Sequence, residues 1–185
     1  MSLQNIEILS VVMNLIFLYL YIQENKFGWL CGIVGSLLGA YIVYCVNLYS
    51  EMGLYLFYAV MGAFAFVVWQ VKDGENFVIR RMKPQMIILT IITGIVLSLG
   101  LGYRMSSTDA EKPFWDAIST VFGVIATFLE IYKYYVAWSF WVVINVYSTF
   151  LYFSTELYFY AGQGVLYTIM SVYGLLAWKK KINSV

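Results

Sequence analysis

Long apolar runs follow one another along this chain almost without pause, and polar residues gather in the short gaps between them. A helix needs about 20 residues to cross about 30 Å of hydrocarbon. Runs of that size recur over 6–23, 29–49, 52–71, 86–105, 114–132, 137–155 and 157–178. The pattern predicts an all-α integral membrane protein with seven transmembrane helices. Only 72–85 and 106–113 are long enough to be real loops, and they set the fourth span apart as a linker. The expected organisation is a first three-helix block over 1–71, a basic loop and linker helix over 72–113, and a second block with a basic tail over 114–185. Residues 1–4 hold no Lys or Arg, so the first run lacks the basic start of a cleaved signal peptide and is expected to remain as a helix.

Basic loops are retained in the cytoplasm, so the side that holds Lys and Arg gives the orientation. With seven spans, Lys26, Lys72, Arg80, Arg81, Lys83, Lys133, Lys179, Lys180 and Lys181 fall on one side, and Arg104 and Lys112 on the other. The N-terminus is therefore expected outside and the C-terminus in the cytoplasm. Lys179, Lys180 and Lys181 read as a topology anchor placed after the last helix has ended.

Sliding the first block onto the second by 109 positions aligns the two without a gap. Ser10 then meets Ser119, Trp29 meets Trp138, Leu48 and Tyr49 meet Leu157 and Tyr158, Gly53 meets Gly162, Tyr58 meets Tyr167, Met61 meets Met170, Trp69 meets Trp178, and Glu7 meets Asp116. Three helices end on the side opposite to their start, so a second copy placed directly after the first would be inverted. A linker helix restores parallel copies. The result is a 3+1+3 plan in which a solute site belongs between the repeats, near mid-membrane.

Composition narrows the chemistry. The 185 residues are 62% apolar and 11% charged, with a mean hydropathy of +0.79 and a net charge of +1. No nucleic-acid footprint follows from such a balance. The absence of His removes the commonest general base and zinc ligand, and Cys31 and Cys45 read as small apolar residues. No cofactor or metal is expected, and membrane lipid is the surrounding partner.

Candidate binding residues come from polar and aromatic positions that share a helix face. Trp138, Trp141, Asn145, Ser148 and Tyr152 recur at spacings of three and four. An unpartnered amide in hydrocarbon costs several kcal/mol, so Asn145 is expected to point inward, as part of a site or as an interhelical lock. Trp138 belongs either to that site or to an aromatic belt at the membrane surface, whereas Trp141 lies one turn deeper. The seventh span adds Gln163, Tyr167, Met170 and Gly174, and the third Tyr55, Tyr58, Gly62 and Trp69. Asn14 sits deep in the first span. The fifth holds Asp116, Ser119, Thr120, Gly123 and Thr127, of which Ser119 and Thr127 can also bond back to their own helix. The binding set drawn from these is Trp138, Trp141, Asn145, Ser148, Gln163, Tyr167, Tyr55, Tyr58, Asn14 and Thr127. Glu7, Glu51, Asp116, Glu130 and Glu156 fall near span ends and are expected to be solvated gate or cap residues. Gly28, Gly32, Gly35 and Gly39 form small-xxx-small pairs that suit close helix packing.

The stretch from Pro113 to Trp178, with PFWDAISTVFGVIATFL, WSFWVVINV, LYF and YGLLAW, resembles the second half of the PnuC family of vitamin transporters. ENKFGWLCGIVGSLL, NLYSEMGL and FYAVMG are similar to its first half. The resemblance implies a full-length SWEET-like fold in a bacterial inner membrane. It also implies uptake of nicotinamide riboside or another B vitamin by facilitated diffusion, with a cytoplasmic vitamin kinase trapping the solute. It places the family's Trp-x-x-Trp at Trp138 and Trp141 and its amide or acid at Asn145. Where many relatives close the first repeat with Tyr-Gly-Trp-Trp, residues 64–67 read FAFV. Thiamine and riboflavin, carried by relatives, therefore stay open as substrates. Nicotinamide riboside and thiamine each hold a cationic aromatic ring, which an aromatic cage attracts by roughly 0.5–2 kcal/mol per ring.

Other classes lack their essential residues. A retinal receptor needs a Lys within the last span, an ATP-driven pump needs a Gly-x-x-x-x-Gly-Lys loop, and an intramembrane enzyme needs a nucleophile with its base. The first two are missing, and with no His and no acid at clear midspan depth no enzyme is expected. A membrane substrate-binding subunit of a larger complex is the alternative from another class. Association of the chain with copies of itself is left open by the sequence.

Overall fold

Each apolar run winds into one helix, because every backbone polar group placed in hydrocarbon must be satisfied within its own segment. The computed structural model describes residues 3–45, 49–72, 77–107, 113–154 and 158–183. Among them are seven helices: α1 (Leu3–Ile22), α2 (Gly28–Cys45), α3 (Tyr49–Val71), α4 (Pro84–Met105), α5 (Pro113–Ile131), α6 (Ala137–Ser154) and α7 (Tyr158–Asn183). Four described segments are long and apolar enough to cross a membrane: Asn5–Ile22, Met52–Val71, Pro84–Met105 and Pro113–Ile131. Gly28–Ile42 is a shorter apolar helix. One boundary corrects the sequence reading. Lys179, Lys180 and Lys181 do not follow the last helix but continue it to Asn183. Lys is a good helix former, and cations in a last turn meet the negative end of the helix dipole.

The chain forms two compact units, Met1–Phe77 and Val78–Val185. In the first, α2 packs beside both α1 and α3; in the second, α5 packs beside α4 and α6, and α6 packs on α7. Aromatic pairs join α5 to α6, with Phe122 stacked on Phe140 at 6.1 Å and Trp115 on Tyr147 at 5.8 Å.

The 109-residue offset reappears in the backbone of the two units. α2 and α6 begin at matched positions, Gly28 and Ala137, and so do α3 and α7, at Tyr49 and Tyr158. The matched turns before α2 and α6 are alike bond for bond. Two residues past the end of α1, Glu24 lies in the left-handed region, φ 60°, and two past the end of α5 Lys133 lies there too, φ 57°. The Glu24 N–H donates to Tyr21 O at 2.9 Å and the Asn25 N–H to Leu20 O at 2.9 Å. At the matched turn the Lys133 N–H donates to Glu130 O at 3.0 Å and the Tyr134 N–H to Leu129 O at 2.9 Å. Both are Schellman caps built without the usual glycine, each holding an L-residue in a backbone that costs about 1–2 kcal/mol.

The second turn is also pinned from outside. The Arg80 N–H donates to Lys133 O at 2.8 Å and the Tyr135 N–H donates back to Arg80 O at 3.1 Å. Met82, two residues on, packs against the core of Leu129, Val136 and Ala137. Lys83 is extended, and Pro84 then opens α4 with its φ already suited to a first helical turn. An Arg81 guanidinium nitrogen donates to Asn183 Oδ1 at the end of α7.

Candidate functional site

The face of α6 that the sequence reading treats as one wall is divided between two neighbours. Trp138 is fully buried, 0% exposed, so it is a packing residue and not part of an interfacial belt. Its indole stands edge-on to Trp178 at 5.7 Å and 88° and lies against Gly174, where an added Cβ would fall 2.6 Å from three ring carbons. Asn145, two turns on, also faces α7, and its Nδ2 donates to Ser171 Oγ at 3.2 Å. Trp141 turns instead toward α5, where its Nε1 donates to Glu130 Oε2 at 3.2 Å. At 1.5 Å per residue, Asn145 lies about 12 Å into an 18-residue helix, near its middle.

Glu130 corrects the expectation of a solvated carboxylate near a span end, since it is only 4% exposed. The shared offset explains its surroundings, because Glu130 occupies the place of Tyr21, which is 1% exposed in the core of the first unit. Ser171 and Glu130 are the two site neighbours that the sequence reading leaves out of the binding set. Ser171 had a signal, lying four residues after Tyr167 and eight after Gln163 on the same helical face.

The remaining candidates fall into local arrangements. In α7 the Gln163 Nε2 donates to Tyr167 Oη at 3.0 Å. In α6 the Thr149 hydroxyl donates to Asn145 O at 2.7 Å and presses on Gly164. Thr127 is buried, and its hydroxyl donates to Gly123 O at 2.9 Å within its own helix, the back-bonding alternative. Ser148 is half-buried on α6. In the first unit Asn14 presses on Gly35, the Tyr55 ring lies on Gly39 with its nearest carbon 2.7 Å from an added Cβ, and Tyr58 tilts against Phe57 at 5.7 Å. Gly28 and Gly32 meet α1, so the small residues of α2 serve close packing. The side chains of Tyr152, Asp116 and Glu51, and Glu156 altogether, lie outside the described residues.

The unlike fillings of the two matched halves define where chemistry can differ. In the first unit, Phe17, Tyr21, Trp29 and Trp69 pack ring on ring, with centroids 5.1–5.9 Å apart. In the second, Trp138 and Trp178 keep that edge-on pair, while Ala126 and Glu130 stand where Phe17 and Tyr21 would be. Trp141, whose partner by offset is Gly32, reaches Glu130 there. Among the described residues no group of His, Cys, Asp and Glu gathers as for a metal ion.

Repeated apolar helix blocks carrying half-buried amides and buried indoles fit a multi-pass membrane protein, and the family match gives its class as a transporter. Comparison with known proteins agrees. The family profile described as nicotinamide mononucleotide transporter matches residues 4–180, and the chain belongs to that family, the family of PnuC. It is similar to the nicotinamide riboside transporter PnuC of Escherichia coli K12, at 21% identity over 207 residues, covering 97% of this chain and 85% of that one. The PnuC of Neisseria mucosa is 23% identical over 180 residues, covering 88% of this chain and 68% of that one. Among solved structures, that of the vitamin B3 transporter PnuC superposes with a TM-score of 0.81 at 21% identity, over 97% of this chain and 82% of that chain. The structural likeness shows the fold, and the family places the chain in a bacterial membrane with several spans.

Proposed function

We propose that this protein takes up a B vitamin with a cationic aromatic ring, nicotinamide riboside before thiamine, by facilitated diffusion. The observation that carries the reading is the pairing on α6 of a half-buried indole, Trp141, with a mid-helix amide, Asn145, one turn away. An aromatic face attracts a cationic ring, and an amide held at depth offers donor and acceptor to a ribose or ring substituent. The names of the similar transporters support nicotinamide riboside first.

In this reading the two three-helix blocks lie parallel about the linker helix in the 3+1+3, SWEET-like plan, with the N-terminus outside and the C-terminus in the cytoplasm. Asn145, Trp141 and Ser148 with Gln163 and Tyr167 are the second unit's residues for the solute, and Tyr55, Tyr58 and Asn14 are the first unit's. Trp138 and Thr127 support these from behind. A cytoplasmic kinase retains the solute by adding a phosphate, whose charge bars its return. The test is uptake of labelled nicotinamide riboside, thiamine and riboflavin into liposomes holding only this chain. Saturable uptake of one vitamin supports a self-sufficient carrier, and lost uptake in Asn145→Ala places it on α6. Binding without uptake would favour a substrate-binding subunit of a larger complex.

A further inference from the structure

We infer that Glu130 is a positioning residue: its carboxylate oxygen fixes the Trp141 indole, and the pair makes the second half the one that selects the solute. The inference rests on the reading that Trp141 meets the solute. Its ground is a three-way exchange at matched positions. In the first unit the Phe17 ring covers Gly32 so closely that an added Cβ would meet ring carbons at 3.1 and 3.2 Å, and Tyr21 completes the cluster. No bulky residue fits at position 32. In the second unit Ala126, 0% exposed, replaces Phe17, Trp141 replaces Gly32, and Glu130 replaces Tyr21. Volume moves from one helix to its neighbour, and an acceptor appears 3.2 Å from the indole N–H that came with it.

Packing alone does not call for this exchange, because the same backbone in the first unit is filled by rings with no carboxyl. Burying a carboxyl inside a span is costly, and such residues mark functional sites by default. With Nε1 held by Glu130, the indole is no longer free to rotate about its side-chain torsions, and its π face keeps one orientation. A fixed ring loses less entropy when a flat solute stacks on it. The alternative, that Glu130 merely fills space, predicts that an apolar side chain of similar volume at 130 would serve equally well.

The test uses the full chain in detergent, with Glu130→Gln keeping a side-chain acceptor, Glu130→Leu removing it, and the triple variant Ala126→Phe, Glu130→Tyr, Trp141→Gly rebuilding the first unit's filling. Two readouts are taken: the 15N resonance of the Trp141 indole N–H, assigned by its absence in Trp141→Phe, and the Kd for nicotinamide riboside and thiamine by tryptophan quenching. Glu130→Leu is expected to move the indole resonance and weaken binding at least tenfold, while Glu130→Gln stays within about threefold of the parent chain. The triple variant is expected to fold and not to bind. An unmoved resonance in Glu130→Leu, or undiminished binding by the folded triple variant, overturns the inference. If the parent chain binds neither vitamin, the proposed function falls, and the indole resonance alone still decides the positioning role. If Glu130→Leu does not fold, Glu130→Met, which also removes the carboxyl acceptor, is read by the same two measurements with the same outcomes.

Discussion

Gly174 lies beneath the Trp138 indole so closely that a Cβ there would sit 2.6 Å from Cε2, Cζ2 and Cη2 of the ring. The contact joins α7 to α6 at the buried Trp138–Trp178 pair, and at the matched position of the first unit stands Ala65, with 0% exposure. A single methyl is therefore compatible with this backbone, but not with the Trp138 ring where it now lies.

Substituting Gly174 by Val is expected to destabilise the protein by about 1–3 kcal/mol, the usual range for overpacking a tight core. Gly100→Ala serves as the control, because nothing lies within 4 Å of an added Cβ there. Thermal unfolding in detergent should show a lower midpoint for the first variant only. Equal midpoints would mean that the indole yields without cost.

The Asn145–Ser171 hydrogen bond is a second junction between α6 and α7. Interhelical polar pairs in membranes couple by about 0.6 kcal/mol on average and up to about 1.7. A double-mutant cycle with Asn145→Ala and Ser171→Ala should return a coupling in that range. If the amide also meets the solute, Asn145→Ala should weaken vitamin binding by more than Ser171→Ala does, and the two Kd values separate the roles.

In the first unit the buried Ser10 hydroxyl donates to Gly35 O on α2 at 2.9 Å. Ser10→Ala leaves that carbonyl without its interhelical donor, an expected loss of about 1 kcal/mol. Ser10→Thr keeps the hydroxyl and should recover part of the loss if its added methyl fits. Unfolding midpoints of the two variants check this.

The segment at Arg80 joins the turn at Lys133 through its own backbone, so its side chain can change while its N–H cannot. Arg80→Pro removes the donor to Lys133 O and is expected to loosen the 78–83 segment. Trypsin should then cut after Arg81 several-fold faster than in Arg80→Ala, which keeps the N–H. Equal cleavage would assign the hold to Met82 packing instead.

The sequence by itself determined the number of helices and most of their ends, because a bilayer imposes one length and one composition on any segment that crosses it. It also determined the register of the repeat, since Trp and Tyr recurring at one offset survive a biased composition, and Gly28 with Ala137 and Tyr49 with Tyr158 stand at matched helix starts. It could not divide the α6 face. Helical spacing says that Trp138, Trp141 and Asn145 point roughly one way, but which neighbour each one meets depends on where α5 and α7 lie, and only tertiary packing sets that. It placed Lys179, Lys180 and Lys181 outside the helix because charge was read as an end, when the dipole and propensity of an existing helix carry it on. Glu130 was hidden most completely. Its nearness to the span end suggests water, and its burial and its bond to Trp141 on the neighbouring helix are matters of packing across two helices that no single helix records.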